Sequence, residues 1–255
     1  MATNMQARLQ VAKQASFISG DELRRQFEGD WHRADREHGV NTAAHESREA
    51  IRIFLEQVYP GEQIVGKGMG EVPTTGSYWL IDSLNGAENF SAGDEYFATT
   101  VAWVENGQAS IGVVSEPSKR ALFWATKGGG AWYADTKLSV RAVAQLSEAF
   151  ILLGLGQQEA RSTSVETITR LAPKVRQLKG REAPALELCA VAAGTHDAFI
   201  HHDLESWDWM AAKLILEEAG GTMTDPAGAT LTLTSRDIVA SNGALHTELL
   251  AALKA

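Results

Sequence analysis

Two short stretches hold the side chains whose types and spacing suggest chemistry. The first is Trp79-Leu80-Ile81-Asp82-Ser83-Leu84-Asn85-Gly86-Ala87-Glu88-Asn89-Phe90. It opens apolar and then turns to acid, amide and glycine. A carboxylate such as Asp82 at the end of a buried strand is a hard oxygen donor for a divalent cation. Gly86 lets main-chain N–H groups approach a ligand closely. A helix starting at Gly86–Ala87 would aim its unpaired N–H groups and positive dipole end at the same spot, which suits a phosphate. A plain strand-to-turn junction explains the same residues, so a second acid is needed to choose between the readings. It comes in Trp207-Asp208-Trp209-Met210-Ala211-Ala212-Lys213-Leu214-Ile215-Leu216-Glu217-Glu218-Ala219-Gly220-Gly221. That stretch predicts a helix with Asp208 as its N-cap and Gly220 just past its end.

The elements that must position these acids follow from hydrophobic spacing. Residues 1 to about 37 predict one or two helices, with no role assigned to Trp31 or His32. Ile51, Phe54, Leu55 and Val58 share one helical face, and Thr42 suits a cap ahead of it. Gln63–Gly66 and Tyr78–Ile81 read as strands. Ala98–Val104 and Ala109–Ser115 flank Glu105-Asn106-Gly107-Gln108, a hairpin turn. Pro117-Ser118 turns the chain before Ala121–Thr126. Gly128-Gly129-Gly130 lacks the Lys-Ser/Thr and the helix that a phosphate loop requires, so it reads as a turn between antiparallel strands. Beyond about residue 146, strand and helix alternate. Phe150–Leu153, Asp197–Ile200, Thr222–Asp225 and a segment from Ile238 predict strands. Thr163–Leu178, bent or broken at Pro173, Leu186–Ala193 and Leu245–Leu253 predict helices.

Composition sets the bounds. At 255 residues and 44% hydrophobic, the chain can bury a large core. A net charge of −9, without a cluster of basic and aromatic residues, argues against nucleic acid. No stretch approaches a membrane span. The lone cysteine, Cys189, sits in an apolar run and fits a core thiol in a reducing compartment. With no apolar leader of signal-peptide length, a cytoplasmic location is expected.

The strand running into Asp82-Ser83-Leu84-Asn85-Gly86-Ala87-Glu88-Asn89-Phe90 resembles the signature of the inositol monophosphatase family, Asp-Pro-(apolar)-Asp-Gly-Thr-x-Asn-Phe. The Trp207-Asp208 helix ending in Glu218-Ala219-Gly220-Gly221 resembles that family's second motif, and the match runs from about residue 38 to the C-terminus. The resemblance implies an α/β chain built as a layered αβαβα sandwich, of the inositol monophosphatase and fructose-1,6-bisphosphatase type. Residues 1–145 would form an α+β half with an antiparallel sheet, and residues 146–255 an α/β half supplying Asp208. It further implies a Mg²⁺-dependent hydrolase of a small phosphorylated molecule (a sugar, cyclitol or nucleotide phosphomonoester), with homodimers the common assembly.

Carried over position by position, Asp82 matches the acid that bridges two ions, Leu84 the backbone-carbonyl ligand, and Asp208 the acid of the later helix. Gly86 and Ala87 match the amides that hold phosphate. The departures fall in the same place. Asn85 replaces a second metal-binding Asp, and Gly66-Lys67-Gly68 replaces Gly-Glu-Glu, with Glu71 nearby as a substitute ligand. His45 replaces an outer-site Asp, Ala87 a Thr that positions water, Ala183 a small or hydroxyl residue near substrate, and His201 an acid that contacts substrate hydroxyls. Two dications about 4 Å apart repel by roughly 16 kcal/mol at an effective dielectric of about 20, and Asp82 and Asp208 alone carry little charge against that. The expectation is at most one Mg²⁺ bound well, through Asp82, the Leu84 carbonyl, Asp208 and the Asn85 oxygen. Three functions stay open: a weakened or retuned phosphatase, a repurposed enzyme with His45, His201, His202 and Glu71 as acid and base groups, and a non-catalytic binding protein.

Overall fold

In the computed structural model, residues 2–29, 36–156 and 158–254 are described; Trp31 and His32 lie outside them. The helices are α1 (Ala2–Glu28), α2 (Arg36–Val58), α3 (Ala87–Ala92), α4 (Arg161–Leu171), α5 (Pro184–Ala192), α6 (Ser206–Glu218) and α7 (His246–Lys254). The first seven strands are β1 (Gln63–Gly66), β2 (Ser77–Asn85), β3 (Ala98–Glu105), β4 (Gln108–Glu116), β5 (Ala121–Thr126), β6 (Ala131–Tyr133) and β7 (Thr136–Lys137). They form one sheet in sequence order, in which β1 runs parallel to β2 and the other pairs are antiparallel. The remaining strands are β8 (Phe150–Leu153), β9 (Gln177–Lys179), β10 (Ala198–His201), β11 (Thr222–Thr224) and β12 (Ile238–Ser241). They make a second sheet in the order β11-β12-β10-β8-β9.

Alternation along each strand stacks these elements into five layers. Trp79 and Ile81 of β2 turn outward to Leu9, Ala12 and Ala15 of α1 and to Ile51 and Leu55 of α2. Tyr78 and Leu80 turn inward, to a core shared with Leu188 of α5, Trp209 and Ile215 of α6, and Phe199 and Ala240 of the second sheet. The opposite face of that sheet, with Ile151, Ile200 and Val239, is covered by Leu171 of α4 and Leu249 of α7. The layered αβαβα order expected from the motifs is therefore present.

Local expectations fail in three places, each for a physical reason. Thr42 does not cap α2, because the helix begins at Arg36 and buries Ala43 against Leu23, Leu84, Phe90 and Phe97. The helix expected over Thr163–Leu178 breaks at Pro173, as that residue predicts, but does not resume: α4 stops at Leu171, and after a turn Gln177–Lys179 form β9, paired parallel to β8. Asp208 is not the N-cap of α6. Glu205 is, and Asp208 is the third helical residue, closing a capping box.

Candidate active site

The site begins with an irregularity in β2. Asp82 pairs with Thr100 and Asn85 with Ala98, so three steps along β2 match two along β3. In a regular strand Asp82 and Asn85 would face opposite ways; the extra residue turns both toward the middle layer. The intervening side chains go outward. Ser83 Oγ donates to the Ala44 carbonyl (2.8 Å), and its own carbonyl accepts from Ser47 Oγ (3.1 Å). Leu84 packs among Leu23, Ala43, Phe90 and Phe97, so it presents main chain to the cleft. Gly86 then turns the strand into α3 at φ 92°, in the left-handed region, and a Cβ there would lie 3.1 Å from both Ala183 Cβ and the Tyr96 carbonyl. No side chain caps α3, which leaves its first N–H groups to the cleft.

Asp208 reaches the same place from the other side. Thr100, directly opposite Asp82 in the sheet, donates from Oγ1 to the Trp207 carbonyl (3.1 Å) and so ties the start of α6 to β3. The capping box fixes the Asp208 carboxylate, whose Oδ2 accepts from Glu205 N–H at 2.8 Å. Asn85 lies between the two acids. Its Nδ2 donates to Asp82 Oδ2 (3.0 Å) and to Asp208 Oδ1 (3.4 Å), while its Oδ1 accepts from the Ala185 N–H (2.9 Å) at the start of α5. The reverse amide orientation would set NH₂ against N–H and oxygen against two carboxylates, so the network fixes which atom faces the acids. The Asn85 oxygen expected on a cation is thus committed to α5. Desolvation, then the charge of Asp82, push the Asp208 carboxyl above its ordinary range; Glu205 N–H and the Lys67 ammonium act in the other direction.

Around this floor is a cleft of about 490 Å³ lined in part by Lys67, Gly86, Ala87, Arg161, Pro184 and His201. Lys67 follows β1 directly. Gly66 admits the tight approach of β1 to β2, since a Cβ there would sit 2.0 Å from the Ile81 carbonyl. His201 Nδ1 donates to the His202 carbonyl at 2.6 Å, and burial pushes its pKa down to about 4. The ring is neutral at pH 7, with Nε2 left as an acceptor.

Several expected residues are not brought in. His45 is exposed on α2, with Nδ1 against Arg48, and Glu71 is exposed on the loop after β1; neither lines the cleft. Ala183 is fully buried against Gly86, and its neighbour Pro184 forms the wall instead. His202 turns away, to Thr167 and Asp237. In the other direction, Lys67 and Arg161 are cleft residues that the motifs did not single out. Lys67 falls inside the departed glycine segment, which was the available signal; Arg161 had none.

Donor chemistry decides how much of the expected Mg²⁺ set is present. Asp208 and the main chain of Leu84 line the cleft, and Asp82 lies buried behind Asn85 with its Oδ1 accepting from the Leu84 N–H at 3.2 Å; together they are hard oxygen donors enough for a single ion. Among the described residues, no group of three or more His, Cys, Asp or Glu side chains is placed to hold a metal.

A profile of the Inositol monophosphatase family matches residues 4–255. A Fructose-1,6-bisphosphatase/inositol-1-monophosphatase of Aquifex aeolicus is 30% identical over 98% of this chain and 97% of its own. An Inositol-1-monophosphatase of Rhizobium meliloti is 33% identical over 92% of each. The crystal structure of the extragenic suppressor protein suhB of Bartonella henselae superposes with a TM-score of 0.88 at 27% identity, covering 98% of this chain and all of that one.

Proposed function

Since the chain belongs to the inositol monophosphatase family, we propose that it is a phosphomonoesterase for a small phosphorylated molecule, retuned to work with one Mg²⁺ ion. The observation that carries this reading is the meeting of Asp82 and Asp208, from opposite halves of the chain, across a single amide of Asn85. Asp82, the Leu84 carbonyl and Asp208 would hold the ion. When bound, it supplies Lewis-acid charge at the phosphoryl group.

The chain's own residues do the rest. The start of α3, opened by Gly86 and continued by Ala87, offers main-chain N–H donors to phosphate oxygens. Neutral His201 accepts, through Nε2, a hydrogen bond from a substrate hydroxyl, so an uncharged polyol or sugar body suits that side of the cleft. Pro184 and Leu155 give the same body an apolar wall.

The test is phosphate release from a panel of sugar, cyclitol and nucleotide monophosphates. Wild type should release phosphate with Mg²⁺ and lose about 100-fold or more in Asp82→Ala, the scale of removing a group that stabilises transition-state charge. No release from any ester with Mg²⁺ present would remove the phosphatase reading and favour binding without turnover.

A further inference from the structure

The floor of the cleft is acidic, yet the ligand assigned to it is a dianion. Asp82 and Asp208 are met there by the amide of Asn85, whose two N–H groups are both used on them. What faces a ligand above that floor is different. Lys67 and Arg161 line the cleft, their side chains are exposed, and among the described residues neither makes an ion pair. Three more acids stand at the rim: Asp203 pairs with Arg236, Glu182 Oε1 accepts from Leu155 N–H, and Glu88 is exposed on α3. The Lys67 charge is felt at Asp208. The residue is also rigidly based. Gly66 is pressed onto Ile81, and the Lys67 carbonyl accepts from the Arg48 guanidinium at 3.1 Å.

We propose that Lys67 is the phosphate-binding cation of this cleft, so that a phosphate group binds beside Asp82, Asn85 and Asp208 without a divalent ion. The proposal rests on the reading of the cleft as a phosphomonoester site but not on turnover. A flexible ammonium with three donors suits a phosphate here, since it can follow the oxygens without fixed geometry. Lining the same cleft as Asp208, the same charge opposes the entry of a second dication. The chain thereby replaces metal charge with its own at the ligand-binding step.

The experiment is isothermal titration of the full chain with inorganic phosphate, in EDTA and again in Mg²⁺. The proteins are wild type, Lys67→Ala, Lys67→Arg and, as a surface control, Lys174→Ala, each checked for fold by circular dichroism. Wild type should bind phosphate measurably in EDTA, and more tightly in Mg²⁺, whose charge adds to that of Lys67. Lys67→Ala should weaken binding in EDTA about tenfold or more, as loss of a charge-assisted hydrogen bond does. Lys67→Arg and Lys174→Ala should stay near wild type. Binding seen only with Mg²⁺, or a folded Lys67→Ala that binds in EDTA as wild type does, overturns the proposal. Turnover separates the two claims. Lys67-dependent binding in EDTA with no ester hydrolysed sinks the phosphatase reading alone, and Mg²⁺-dependent hydrolysis with no phosphate bound in EDTA sinks this one alone.

Discussion

At Asn85 a single amide joins three parts of the chain, because its oxygen holds α5 while its nitrogen bridges acids from β2 and α6. The residue is 2% exposed, so changing it changes a desolvated network. Asn85→Asp keeps an acceptor for Ala185 N–H but removes the bridging donor and adds a third negative charge. In EDTA the variant is expected to lose about 3 kcal/mol of stability, the scale of an uncompensated buried charge. Mg²⁺ should restore it by preferential binding to the folded state, raising Tm more than in wild type. Thermal melts in both conditions check this, and a variant as stable as wild type in EDTA contradicts it. The types at Asp82, Gly86 and Asp208 were legible in the sequence, since a strand end, a left-handed glycine and a helix-start acid each leave a local mark. The direction of the Asn85 amide was not, because its partner N–H lies a hundred residues away. His45 and Glu71 stand outside the cleft lining for a related reason: proximity in sequence to a lost ligand says nothing about which way a loop or helix face points.

Among the elements, the irregular β2 turns its acid and amide to the cleft, and the close packing of β4 on α6 sets where the Asp208 helix lies. The strands were readable as short apolar runs bounded by turn residues, and the Asn106-Gly107 hairpin from its turn residues, which adopt φ 49° and 78°. The bulge was not, since Ser83 and Leu84 carry no bulge signature; it is imposed by Ser83 bonding to α2 and Leu84 filling a pocket beneath it. The change from helix to β9 after Pro173 was equally hidden, because an edge position beside β8 overrides local propensity. Gly112 offers a direct test of how elements position the acids. A Cβ there would fall 2.4 Å from the Ala211 carbonyl, main chain that cannot swing aside. Gly112→Ala should therefore push α6 off β4, costing about 2 kcal/mol as overpacked cores do. Urea denaturation should show a lower midpoint at unchanged slope. Phosphate release should fall further than the folded fraction, because Asp208 rides on the displaced helix.

For the molecule as a whole, the middle layer governs cooperativity. Residues of α5 and α6 belong to one apolar cluster with both sheets, so neither sheet keeps its inner face covered if the other unfolds. Heat or urea is expected to unfold the chain in one step. Tryptophan fluorescence, reporting mainly on the first sheet and α6, should coincide with far-ultraviolet circular dichroism, which reports on all elements. A fluorescence change completed well before the dichroism change would show the sheets to be separable. The triple glycine has a part in this beyond its turn between β5 and β6. Gly128 and Gly130 donate their N–H groups to the two oxygens of Glu218, at 2.6 and 2.8 Å, at the far end of α6. With its first turn moored by Thr100 and its last by this glycine clasp, the helix is a strut of roughly 20 Å held at both ends. Strain applied at the outer edge of the first sheet would then travel along a rigid rod to Asp208, making a remote surface turn a natural lever on the spacing of the two acids.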